Sequence, residues 1–205
     1  QHKTSRDQKK LPFHESLKNR GACFGQVAGF ERPMWFALNG SKPEYNYSYG
    51  YQNWYESAEY ETINTRKHVG LFDLSAFAKF EIQGSKAFSD LQLLCSNNII
   101  NIPGHITYTQ MLNNKGGIEA DLTVTCINLN LFRIVTGSAV REHDKKHISR
   151  HLSKDTIIKD ITDELVCLGI FGPKSRDLLT EVFGNHFLTK EFSFGTGKEI
   201  KFQRI

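Results

Sequence analysis

Residues 113–124 read NNKGGIEADLTV, and Asp121 stands there at the mouth of a strand, just after a paired-glycine turn. A carboxylate so placed can take a proton from a bound amine or favour a cationic intermediate, provided that it faces a ligand. Side chains on a strand alternate between two faces. With the next turn centred on Leu129, Asp121 faces Gly137 across the hairpin, Thr123 faces Val135 and Thr125 faces Arg133. Those six residues share one face. Leu122, Val124, Cys126, Ile134 and Thr136 share the other, which reads as the core side. Gly137 leaves room opposite the carboxylate, and Gly116 and Gly117 let backbone approach closely. The same residues also suit a solvated Asp beside an ordinary turn. The pattern alone leaves both readings open.

Other groups invite chemistry less strongly. His143, His147 and His151 recur every four residues, a spacing that can hold a metal on a helix. Lys145, Lys146 and Arg150 surround them and no carboxylate pattern completes a site, so a solvated helix face is expected. The stretch GTGK (195–198) hints at a phosphate loop, but Phe192 and Glu199 stand where Gly and Ser or Thr are required, and it reads as a plain turn. FGPKSRDLL (171–179) has the look of an anion-binding helix start, yet a structural strand-to-helix turn fits better. FERPMWF (30–36) and NWYE (53–56) either line a cofactor pocket or pack, and packing is the commoner use of such clusters.

The elements that would position these groups follow from periodicity. A polar arm is predicted over 1–20, irregular aromatic chain over 21–36, a loop over 39–53, and a helix over 54–70 ended by Gly70. One strand is predicted over 71–84. A helix capped by Ser85 follows, with Phe88, Leu91, Leu94 and Cys95 as its stripe. Strands are predicted over 104–113, 119–127 and 131–138, and a helix over 140–152. A buried strand over 164–172 leads through Pro173 into a helix reaching about Phe183. Ile200 and Phe202 alternate as in a terminal strand. Mixing hairpins with crossovers points to an α+β fold with antiparallel or mixed sheets.

Composition excludes some classes. The chain has 205 residues, 39% hydrophobic and 23% charged, with a net charge of +4, which is ordinary globular composition. Basic residues are scattered, so no nucleic-acid partner is expected. No apolar run approaches the roughly 18 residues of a membrane span, and no membrane partner is expected. Cys23, Cys95, Cys126 and Cys167 contain no C-x-x-C pair and read as buried, reduced thiols. Gln1 and the strand pattern at the C-terminus read as the cut ends of a longer protein.

Taken together, YTQMLNNKGGIEADLTV (108–124), VTGSA (135–139) and LGIFGPKSRDLL (168–179) resemble the folate-binding aminomethyltransferase domain of the glycine-cleavage T-protein superfamily. GACFGQVAGFERPMWF (21–36), NWYE and HVGLFDLSAFAKFEIQG (68–84) resemble, more narrowly, the folate half of sarcosine and dimethylglycine dehydrogenases. The resemblance implies the T-protein fold with ferredoxin-like βαβ elements. It implies residues 1–36 as a linker and lead-in from a flavin domain, and residues 37–205 as the N-terminal part of the folate domain. A flavin domain carrying FAD would precede it, and the family's Tyr-x-Gly-Glu-x-Gly-x-Glu stretch would begin just past Ile205. The implied activity is transfer of the one-carbon unit of an oxidised N-methyl amine to tetrahydrofolate, giving 5,10-methylenetetrahydrofolate. The family's catalytic Asp falls on Asp121, and its folate-lining positions on Phe77, Tyr108, Thr123 and Val135; Gly137 replaces an Asn of stand-alone T-proteins. The implied compartment is the bacterial cytoplasm or the mitochondrial matrix. Alternatives are a stand-alone glycine-cleavage aminomethyltransferase, a non-catalytic relative of the pyruvate dehydrogenase phosphatase regulatory subunit, or a bare binding module.

Overall fold

The computed structural model describes residues 4–38, 40–187 and 192–201. In chain order the elements are β1 (Lys9–Lys10), α1 (His14–Asn19), β2 (Ala22–Val27), β3 (Phe30–Phe36), α2 (Tyr55–Lys67), β4 (Gly70–Asp73), β5 (Ala78–Gly84), α3 (Ala87–Leu94), β6 (Ile106–Leu112), β7 (Ile118–Asn128), β8 (Leu131–Thr136), α4 (Arg141–His151), β9 (Thr156–Asp160), β10 (Leu168–Phe171) and α5 (Ser175–Phe183). They divide between two compact units. One runs to Ala76 and takes in Val166–Leu179; the other is Phe77–Leu165 with the residues from Thr180 on.

The first unit corrects the reading of residues 1–36 as arm and irregular chain. β2 and β3 form an antiparallel hairpin, and β1 adds to β3 in parallel, giving the order β1-β3-β2. Its turn is Ala28–Gly29, both with positive φ (52° and 83°). That is the mirror-image turn whose twist suits a two-residue hairpin, but Ala at its first position hides the signal. Replacing the exposed Ala28 by Asn is expected to raise stability by about 0.5–1 kcal/mol, read as a shift in denaturation midpoint. The arm is anchored through Arg6, whose guanidinium grips the buried Glu31 carboxylate (2.8 Å from Nε, 2.5 Å from Nη2), holding it below the usual carboxylate range. Trp35 is buried, and Tyr45 meets it and Trp54 edge-on, at centroid distances of 6.5 and 4.9 Å. These aromatics pack on one another, as the commoner use predicts.

α2 carries Glu56 in its first turn and Arg66 and Lys67 in its last, matching the helix dipole. It stops at Lys67, and Gly70 opens β4 instead of ending the helix. A Cβ at Gly70 would come within 2.5 Å of the Thr65 hydroxyl oxygen, so any larger residue there would have to displace the Thr65 or Phe72 side chain. The strand predicted over 71–84 is two strands in different sheets: β4 pairs with β10, and β5 joins the large sheet. β10 is not a buried strand, since Leu168 and Phe171 are about half exposed.

The second unit is an antiparallel sheet of order β6-β7-β8-β5-β9. β8 and β9 run parallel with β5 between them, so β8–α4–β9 is a split βαβ unit of the ferredoxin-like kind. α3 and α4 cover one face. Phe80, Ile82, Leu91, Leu122, Val124, Cys126, Phe132, Ile134 and Ile148 fill the core there. The expected stripe of α3 holds, but Lys86 rather than Ser85 precedes its first residue, without a side-chain cap. β9 was not foreseen. Residues 198–201 form no strand, and Phe202 lies outside the described residues.

Candidate functional site

The face of the second unit's sheet opposite the core carries the predicted residues. The β7–β8 register pairs Thr123 with Val135 and Thr125 with Arg133, as predicted. It does so by a different route, because the turn is Leu129–Asn130 and a bulge after Cys126 restores the alternation. Leu122, Val124, Cys126, Ile134 and Thr136 are all buried on the helix side. β6 adds Tyr108 opposite Thr123 and Gln110 opposite Asp121. Tyr108, Thr123 and Val135 therefore form one row across three strands, with Asp121 one step along the same face. β8 ends at Thr136, so Gly137 is not paired with Asp121 in the ladder. Phe77 stands just before β5, half-buried, and its carbonyl accepts a hydrogen bond from the Lys79 ammonium at 2.9 Å.

Asp121 is exposed, and its carboxylate meets two neutral donors. The Gln110 amide approaches Oδ1 at 3.3 Å. The Tyr108 phenol lies near the same carboxylate, whose pull on the hydroxyl proton and negative charge hold the phenol above its ordinary pKa. A carboxylate oriented by neutral donors keeps its charge and its remaining lone pairs for a further partner.

The paired glycines serve a different purpose from close approach to a ligand. Asn113 Oδ1 accepts the Lys115 and Gly117 backbone N–H groups, both at 2.9 Å. Its amide nitrogen donates to Glu119 Oε1 at 2.9 Å. Gly116 supplies φ of 78°, and a Cβ on Gly117 would sit 2.9 Å from the Asn113 amide. The glycines thus fit the turn around Asn113.

The three histidines do not form one cluster. His143 turns to Glu119 and Asp144, while the His147 and His151 rings lie 4.7 Å apart and the His151 ring nitrogen Nδ1 meets the His147 carbonyl at 2.8 Å. Burial pushes the His147 imidazole below its ordinary pKa. Among the described residues, no group of three or more His, Cys, Asp or Glu side chains is placed to hold a metal. GTGK is a turn packed against Gly104 and Ile106, and FGPKSRDLL is a strand-to-helix turn. Cys23, Cys95 and Cys126 are buried, Cys167 is partly exposed, and no disulfide joins them. No helix among the described residues is long and apolar enough to cross a membrane.

This sheet, with its polar face and its split βαβ unit, has a counterpart among known proteins. Residues 13–205 match the family described as the GCVT N-terminal domain. The chain belongs to that family. Its fold is that of a T-protein: it superposes on glycine cleavage system aminomethyltransferase T from Bartonella henselae with a TM-score of 0.75 at 24% identity, over 92% of this chain and 46% of that one. Among curated relatives, 4-methylaminobutanoate oxidase (formaldehyde-forming) of Paenarthrobacter nicotinovorans is 38% identical over 183 residues, 89% of this chain. Human mitochondrial dimethylglycine dehydrogenase is 34% identical over 196 residues, 94% of this chain. The chain spans 22% of the length of each of these two relatives.

Within this GCVT N-terminal domain, sequence reasoning missed Lys79 and Glu119. Lys79 lies opposite Val135 on the site's face and is only 3% exposed. In the alternating run AKFEIQ it reads as an ordinary solvent-side lysine. Glu119 is the extra residue of a bulge, since Met111 pairs with Ala120 and Leu112 with Ile118. A bulge re-aims its side chain, and no residue type near Glu119 signals it.

Proposed function

We propose that this chain is the folate-binding portion of a flavin-dependent N-methyl amine dehydrogenase of the sarcosine/dimethylglycine type. In this reading residues 1–36 lead in from a flavin domain that carries FAD, and residues 37–205 form the N-terminal part of the folate domain. The observation that carries it is the placement of Asp121 beside Tyr108, Thr123 and Val135 on one open sheet face. Two of the relatives, one a dehydrogenase of dimethylglycine and one an oxidase that forms formaldehyde, support the same chemistry. The compartment that goes with it is the mitochondrial matrix or the bacterial cytoplasm.

The chemistry assigns each residue a task. Oxidation of the amine supplies an N-methylene iminium, or the formaldehyde derived from it. A tetrahydrofolate bound on this face would offer one nitrogen to that carbon and close the ring through its second nitrogen as the demethylated amine leaves. From the iminium the products would be 5,10-methylenetetrahydrofolate, the demethylated amine and one proton. Tetrahydrofolate gives up two N–H protons: one departs on the amine and the other passes to Asp121. An ionised Asp121 within about 3 Å of the reacting nitrogen accepts that proton and favours the cationic species preceding it. Tyr108 and Gln110 orient the carboxylate, while Thr123 and Val135 form the floor, with Phe77 at its edge.

The test is titration of tetrahydrofolate into the full-length protein that carries this chain. Saturable binding is expected, and Tyr108→Phe is expected to weaken it a few-fold by freeing the carboxylate from its phenolic partner. Absence of saturable binding by the wild type overturns the reading.

A further inference from the structure

The His143 imidazole lies between two carboxylates. Its Nδ1 is 2.9 Å from Asp144 Oδ1 and its Nε2 is 3.2 Å from Glu119 Oε2. A neutral imidazole carries one N–H, so one of its nitrogens would present a lone pair to a carboxylate oxygen. Only the imidazolium donates to both. Each carboxylate is itself held. Asp144 is fully buried and accepts the Thr136 hydroxyl at 2.6 Å. That hydroxyl lies 3.5 Å from the Asp121 carbonyl oxygen. On the other side, Glu119 accepts the Asn113 amide and stands two residues before Asp121 on β7. The two ends of the network thus bracket Asp121.

We propose that His143 is a positioning residue for Asp121: as an imidazolium bridging Glu119 of the β7 bulge to the buried Asp144 of α4, it holds the 113–121 segment in the arrangement that presents the carboxylate. The catalytic consequence rests on the proposed function; the mechanical one does not. The charged and titratable groups that face His143 are Glu119 from β7 and, on its own helix, Asp144 and His147. The Asp144 hydrogen bond and the two negative charges raise its pKa, which agrees with the geometry. With a folded pKa above that of an unfolded histidine, the bridge is complete below about pH 6.5. It is lost as pH rises through the folded value.

The experiment is amide hydrogen exchange of the 113–121 segment in the full-length protein, corrected for intrinsic rates, at about pH 5.5 and about pH 8.5. Wild-type protection of this segment is expected to be roughly three- to tenfold greater at the lower pH. β5, which makes none of these contacts, serves as the reference and should not change. His143→Gln retains hydrogen-bonding capacity without charge, and should show low protection at both values. Glu119→Gln should likewise remove the pH dependence while leaving the His143–Asp144 contact in place. A pH-independent wild type, or a His143→Gln protein that behaves as wild type, overturns the proposal. Tetrahydrofolate affinity is measured on the same samples. If it falls in step with protection, the network serves the folate site. If the wild type binds no folate, the functional reading falls, and the exchange data still decide the bridge.

Discussion

Asp121→Asn is expected to slow formation of 5,10-methylenetetrahydrofolate by roughly 10²–10⁴-fold, the usual worth of a positioned general base. Under the proposed function, reduction of the flavin by the amine should stay near wild type, because the substitution would touch only the folate half of the reaction. The change is nearly isosteric, and the Asn oxygen can still accept from Tyr108 and Gln110, so folate affinity should move far less than the rate. Asp121 is exposed and pairs with neutral donors, so the fold should lose no more than about 0.5 kcal/mol. Single-turnover kinetics with preformed formaldehyde and tetrahydrofolate, beside anaerobic flavin reduction, separates the two halves. An unchanged methylene-folate rate would return Asp121 to the status of a solvated surface charge.

The largest loss of stability is expected at Phe132. It is fully buried on β8, which has β7 on one side and β5 on the other, and its ring stacks on Phe88 of α3 at 6.3 Å. Truncation to Ala removes a ring from the junction of the sheet with its covering helix. The surrounding strands are hydrogen-bonded on both edges and cannot move in to fill the space. A cost of about 3–5 kcal/mol follows, out of the 5–15 kcal/mol typical of a domain. Urea denaturation should show a lower midpoint with the slope retained. Leu93→Ala, on the 88% exposed side of α3, is the control and should change stability by less than about 0.5 kcal/mol. A Phe132→Ala cost below about 1 kcal/mol would mean that the helix layer collapses onto the sheet, contrary to the packing described.

The Asp121 hairpin was legible because period-two alternation is strict there: every inward residue from Leu122 to Cys126 is buried and every outward one is polar. A bulge near the turn did no harm, since it compensated for a two-residue turn, Leu129–Asn130, in place of the three residues the predicted strands leave. The same rule failed over residues 71–84. LFDLSAFAKF alternates almost without interruption, yet the chain leaves one sheet after Asp73 and enters another at Ala78. Hydrophobic alternation reports that a face is buried, not which sheet buries it. The β2–β3 hairpin was hidden by Ala28, a residue that seldom takes positive φ. The polar arm misled through composition, since Arg6 and the Asp7 backbone N–H are fixed by a single buried partner, Glu31. Lys79 and the Glu119–His143–Asp144 network were out of reach for another reason. Their significance lies in burial and cross-element distance, and neither leaves a trace in local residue order.

The pairing of β4 with β10 joins Asp73 to Leu168, with the whole sheet from Ala78 to Asp160 inserted between them. During synthesis, β4 leaves the ribosome well before its partner strand exists. The intervening sheet can close on its own, since all five of its strands lie within the inserted stretch. The β4–β10 ladder is then the last to form and needs the longest loop closure. Until then Leu71 and Phe72 present an unpaired apolar edge, the kind of nascent surface on which chaperones act and aggregates nucleate. Slowing translation between codons 78 and 165 should therefore lengthen that exposure and lower the soluble yield, without changing a single contact of the finished protein.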